Sequence, residues 1–180
     1  NSPVFEKDLD TVATVAWDLI RPDTYPESQH GAFYKKFPIA PIMLTRGCPY
    51  DCEFCAGKVI SGRMLRKRSV ENVINEIKLL YDKYGIREFH IIDDNFTLDK
   101  EYARRFLMEL EKLGLDISWA LPNGIRMENL DLDFLRLMKR TGLYLVSLGI
   151  ESGSDRVLQS MKKNLTVDRI RNSVKLIKES

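Results

Sequence analysis

The residues with the most chemistry in them are three cysteines, all within Arg46-Gly47-Cys48-Pro49-Tyr50-Asp51-Cys52-Glu53-Phe54-Cys55. They are the only cysteines in the 180 residues, separated by three and then two intervening positions. An odd number packed this tightly does not make a disulfide framework. Thiols kept reduced point to an intracellular, cytoplasmic setting and to metal ligation. Soft sulfur ligands select zinc, copper(I) or iron–sulfur clusters. A structural zinc site closes with a fourth ligand, and the only histidines are the distant His30 and His90. A 4Fe–4S cluster held by three cysteines leaves one iron open for an exogenous ligand. Cysteines buried merely as small apolar residues would not be interleaved with Asp51 and Glu53.

Three other polar stretches end apolar runs. In Asp93-Asp94-Asn95-Phe96-Thr97 the paired carboxylates stand where a ligand would meet a sheet, while Asn95, Thr97 or Asp99 could cap the next helix. Pro122-Asn123-Gly124-Ile125-Arg126 brings a guanidinium suited to a bidentate carboxylate contact, or to pairing with Glu128. Gly149-Ile150-Glu151-Ser152-Gly153-Ser154 offers a carboxylate and hydroxyls, with glycine permitting close backbone approach and Ser154 a possible N-cap. A basic run, Lys58 to Arg68, reads as a solvated face by itself.

The elements that must position these groups follow from periodicity. Apolar runs at Ile42–Leu44, Phe89–Ile92, Ile117–Leu121 and Tyr144–Ile150 fit buried strands. Helical stripes lie between them: Val70, Val73, Ile74, Ile77, Leu80, Tyr81 and Tyr84; Tyr102, Phe106, Leu110 and Leu113; Leu132, Leu135 and Met138; and a last one at Val167, Ile170, Val174 and Ile177. Strand–helix alternation predicts βαβ units, an α/β fold with a parallel sheet. A closed eight-unit barrel needs ~250 residues, so four units make an open or partial (βα) barrel. Ligand-binding groups then belong at the strands' C-terminal ends, in the loops after Thr45, Ile92, Leu121 and Ile150. Residues 1–38 read as a proline-punctuated lead-in or linker, with a short helix within Leu9 to Ile20. Apolar residues at 44% exclude intrinsic disorder, and a net charge of +2 gives no electrostatic case for nucleic-acid binding. No apolar run approaches the ~18 residues of a membrane span. The chain begins at Asn1, as expected of a piece of a longer protein.

Cys48-x-x-x-Cys52-x-Phe54-Cys55, directly after the first strand, resembles the radical S-adenosylmethionine (SAM) superfamily. The resemblance covers residues from about 39 to the end. It implies a barrel of about six βα units, of which this chain supplies four, so that 39–180 is a truncated core domain. It also implies a 4Fe–4S cluster on Cys48, Cys52 and Cys55 whose open iron is chelated by SAM. Reductive cleavage of SAM then yields a 5′-deoxyadenosyl radical for hydrogen abstraction, with water and oxygen excluded. The same resemblance assigns Phe54 to the adenine, and Asp94 and Asn95, with Asp93, to the methionine amino group. It assigns Arg126 to the SAM carboxylate, with Asn123 beside it, and Glu151 and Ser152 to the ribose and methionine end. Arginines of the basic run would offset the anionic cluster. Asp-Asp-Asn in place of the family's Gly-Gly-Glu is similar to a branch with an upstream cobalamin-binding domain. The lead-in, with Ala16-Trp17-Asp18-Leu19 and Tyr25, looks like the connector that follows it. Members of that branch methylate unactivated carbons, form rings on tetrapyrroles, rearrange skeletons or attach methylthio groups, fed by an external electron donor such as flavodoxin or ferredoxin. The alternative is a noncatalytic zinc or iron–sulfur binding module.

Overall fold

A computed structural model describes residues 4–12, 14–27 and 33–180. His30 lies outside them. In chain order the elements are β1 (Ile39–Ile42), β2 (Thr45–Arg46), α1 (Gly57–Ile60), β3 (Arg66–Lys67), α2 (Val70–Tyr84), β4 (Glu88–Ile91), α3 (Lys100–Lys112), β5 (Ser118–Ile125), α4 (Leu132–Arg140), β6 (Leu143–Leu148), α5 (Asp155–Ser160) and α6 (Val167–Glu179). Four strands form one parallel sheet in the order β1-β4-β5-β6, each new strand lying beside the last. The helices follow suit, α2 packing on α3, α3 on α4 and α4 on α6. Sequential order in both layers is an arc of a barrel, whereas a doubly wound sheet reverses its strand order at a switch point.

Local chemistry sets the helix starts. Ser69, Asp99, Asp131 and Thr166 each accept a hydrogen bond from the backbone N–H three residues on. Asp99 therefore caps α3, and Asn95 and Thr97 are not needed for it. The core lies between sheet and helices, where Phe96 meets Phe106 and Trp119 edge-on at centroid distances of 6.3 and 5.8 Å.

Several expectations need correction. The first strand ends at Ile42, earlier than the apolar run suggested, and the chain turns into β2, which pairs antiparallel with β3. The third strand runs on past Leu121 to Ile125, so Asn123 and Gly124 sit within it. In the basic run, Arg66 is buried and Arg68 half-buried, so neither is a freely solvated charge. Arg66 donates to the Glu6 carbonyl at 3.0 Å, and Arg68 donates to Met43 O at 3.0 Å and pairs with Glu76 at 2.5 Å. The short α-helix expected within Leu9 to Ile20 is replaced, among the described residues, by a 3-10 turn at Leu9–Thr11 capped by Asp8. The β-branched Thr11, Val12, Thr14 and Val15 disfavour anything longer. The lead-in is nonetheless docked: Trp17 is buried in the core and its indole N–H donates to Glu76 at 2.8 Å.

Asp93, 2% exposed at the end of β4, bolts two strand ends together. Its carboxylate accepts from the Leu44 N–H at 2.7 Å and the Thr45 hydroxyl at 2.8 Å. Burial is the largest influence on it and pushes its pKa up to about 6. A carboxyl with a raised folded-state pKa contributes stability that is complete below its unfolded value and lost as pH rises through about 6. From pH 4 to 7 the wild type should therefore lose about 2 kcal/mol relative to Asp93→Asn, which cannot titrate. Urea unfolding across that range measures this; parallel curves for the two proteins would contradict it.

Candidate functional site

The cysteines lie on the loop between β2 and α1. Gly47 opens it with φ +93°, where an added Cβ would stand 2.2 Å from the Met64 carbonyl oxygen. Only glycine fits such a turn. Asp94 then fixes the loop from the end of β4, its carboxylate accepting from the Gly47 N–H at 2.7 Å and the Ser61 hydroxyl at 3.2 Å. The Cys48 N–H donates to Gly62 O at 3.1 Å. Within the loop Asp51 holds Arg63 at 2.6 Å and Lys58 at 3.1 Å, two cations that keep its pKa below the usual carboxylate range. The far side is stitched to the turn after α5, where the Glu53 N–H donates to Met161 O at 3.1 Å and its carboxylate pairs with Lys162 at 2.5 Å.

These contacts gather the strand ends around a cavity of about 210 Å³. Cys48, Cys52, Cys55, Phe54, Asp94, Asn95, Asn123, Arg126 and Glu151 all line it. Two expected residues do not. Asp93 is committed to Leu44 and Thr45, and the Ser152 hydroxyl accepts from the Ser154 N–H at 3.1 Å, closing a turn. Asn95 is buried with its amide oxygen 3.2 Å from the Thr97 hydroxyl, and the Asn123 amide donates to Ile92 O at 3.0 Å. Phe54 is 52% exposed at the mouth.

Two residues that sequence reasoning passed over are central. Lys163, 6% exposed, reaches into the cavity, pairs with Glu151 at 2.8 Å and stands 5.6 Å from the centre of the Phe54 ring. Tyr50 stacks on the Arg126 guanidinium at 3.7 Å. Lys162-Lys163-Asn164 reads as an ordinary polar turn. Its signal is conformational, because Lys162 and Asn164 both take positive φ, 54° and 53°, and so turn the lysine between them inward. Glu151 itself holds φ 62°, a strained position for a residue with a long side chain and one that clusters at ligand sites.

The donors suit an anionic thiolate centre. The Gly57 N–H points to Cys55 Sγ at 3.3 Å and an Arg126 N–H to Cys52 Sγ at 3.5 Å. Burial pushes the Cys48 thiol up, with Arg126 acting against it. Among the described residues no three ligating side chains converge as a single ion requires. His90 is taken by Glu88 at 2.9 Å and does not line the cavity. A polynuclear cluster, in which each thiolate binds its own iron, fits three cysteines spread around one cavity better than a lone zinc does.

Comparisons with known proteins agree with this geometry. A cytidylyl-2-hydroxyethylphosphonate methyltransferase of Streptomyces wedmorensis is 36% identical over 93% of this chain and 32% of its own length. An anaerobic magnesium-protoporphyrin IX monomethyl ester cyclase of Rubrivivax gelatinosus is 28% identical over 75% of the chain and 24% of its own length. The chain thus spans about a third or less of these curated relatives. Among solved structures, the radical SAM methyltransferase TsrM of Kitasatospora setae superposes with TM-score 0.69 at 21% identity, covering 78% of this chain and 28% of that one. Cobalamin-dependent OxsB superposes with TM-score 0.65 at 19% identity, covering 76% and 22%. These likenesses confirm the partial-barrel fold. The radical SAM superfamily model matches residues 42–180, and the chain belongs to that family.

Proposed function

We propose that residues 39–180 are the core of a radical SAM enzyme, with Cys48, Cys52 and Cys55 holding a 4Fe–4S cluster and the adjoining cavity holding SAM. The observation that carries this reading is the meeting of three thiols with a carboxylate and an ammonium, Glu151 and Lys163, in one cavity. When bound, cluster and SAM supply an electron and a 5′-deoxyadenosyl radical able to abstract hydrogen. The chain's own residues do the rest. An amino-acid zwitterion carries both charges that Glu151 and Lys163 complement, so SAM's methionine end exchanges one internal ion pair for two charge-assisted contacts. Phe54, exposed at the mouth, gives the adenine an aromatic face to cover. Asn95 and Asn123 supply amides on the sheet side, while Asp94 acts through the loop by holding Gly47 in place. Asp93 and Ser152 support from behind.

The relatives' names include methyltransferases and cyclases, which supports radical methyl transfer or ring formation on a small molecule. Cobalamin, where used, would be held by a part of the protein outside this chain, and residues 1–38 would lead in from it. Electrons would come from an external flavodoxin or ferredoxin. No helix among the described residues is long and apolar enough to cross a membrane.

Anaerobically reconstituted protein, reduced with dithionite in the presence of SAM, should release 5′-deoxyadenosine, and Cys52→Ala should bind less iron and release none. Equal release by the two would refute the radical reading. Lys163→Met leaves Glu151 unpaired in the cavity wall and should weaken SAM binding roughly 10- to 100-fold. Equilibrium binding to the reconstituted variant measures this, and wild-type affinity would remove the ion pair from the binding site.

A further inference from the structure

Arg126 looks, by sequence, like a clamp for the SAM carboxylate, but its hydrogen bonds leave no edge for one. A carboxylate is gripped by two parallel N–H groups on one side of the guanidinium. The Nε–Nη2 edge is taken by Glu128, with Nε donating to Oε1 at 2.8 Å and Nη2 to the same oxygen. The other edge is split, Nη2 donating to the Lys163 carbonyl and Nη1 to Cys52 Sγ at 3.5 Å. The Tyr50 ring covers the guanidinium face at 3.7 Å, and the residue is 9% exposed. Every contact holds the cation in one orientation, with one N–H aimed at a cluster sulfur.

We infer that Arg126 is a positioning residue for the cluster, setting the charge at Cys52 and with it the reduction potential. The inference rests on the cluster assignment above. Hydrogen bonds and positive charge at a ligating sulfur favour the reduced, more negative cluster and so raise its potential. Glu128 moderates the effect. Its Oε1 carries the Arg126 pair, while Oε2 is buried without a hydrogen-bond partner among the described residues. The pair presents its positive end to Cys52 and its negative end away from it, so its two members should act on the potential in opposite senses.

The test is a potentiometric titration of reconstituted protein followed by electron paramagnetic resonance, with iron per chain measured first. Arg126→Gln should shift the potential to a more negative value. Arg126→Lys, which keeps the charge and loses the fork, should shift it less. Glu128→Gln, which removes the counter-charge at nearly constant shape, should shift it the other way. A structural role alone would not reverse sign between the two partners. Unchanged potentials, or shifts of the same sign for Arg126→Gln and Glu128→Gln, would overturn the inference while leaving the cluster reading intact. If Arg126→Gln does not fold, Glu128→Gln decides: a positive shift supports the assignment, and no shift or a negative one overturns it. Failure of the wild type to assemble a cluster would instead strike the underlying functional reading.

Discussion

The site depends on two adjacent carboxylates at the end of β4. Side chains alternate along extended backbone, so Asp93 and Asp94 can face different ways and hold different things. Asp93 points into the protein and binds the chain where it leaves β1, at Leu44 and Thr45. Asp94 binds it again at Gly47 and Ser61. One strand end thus grips both the exit of β1 and the start of the cysteine loop. Burying Asp93 costs stability, as its raised pKa shows, and the return is a fixed starting point for a loop with little regular structure of its own.

The loop's other side is held less deeply. Glu53 reaches Lys162 and Met161, and Arg126 reaches Glu128 and the Lys163 carbonyl. The exposed Glu53–Lys162 pair contributes little to stability by itself, whereas the Arg126–Glu128 pair is largely shielded from solvent. Together with the backbone bonds they bring the turn after α5 against the cysteines and deliver Lys163 to the cavity. Positive φ values mark strain at Lys162 and Asn164 in this same turn and at Glu151 in the loop between β6 and α5. Strain of that kind persists where surrounding contacts over-determine the conformation, as at ligand sites.

Much of this was legible in the sequence because it rests on short-range signals. Strand runs and helical stripes gave four parallel strands and their connecting helices, since apolar periodicity directly reports the buried face. The spacing of Cys48, Cys52 and Cys55 marked the candidate centre, and all three line one cavity. What periodicity could not show was the use of polar groups over long sequence separations. Arg66 and Arg68 look like members of a solvated run, yet the first is buried and the second half-buried against partners set by the fold, Glu6 and Glu76. Lys163 lies in a dipeptide typical of surfaces and is turned inward only by the backbone on either side of it. Arg126 has the chemistry of a carboxylate clamp, and only its actual neighbours, Tyr50, Cys52, Glu128 and the Lys163 carbonyl, show its hydrogen bonds already committed.

Whether the three cysteines hold a cluster with one iron open to SAM is decided most directly by Mössbauer spectroscopy of protein reconstituted with iron-57, recorded with and without SAM. One of the four irons should change its isomer shift and quadrupole splitting when SAM is added, while the three bound to Cys48, Cys52 and Cys55 stay as they were. Four irons indifferent to SAM, or a centre that takes up zinc and excludes iron, would contradict it.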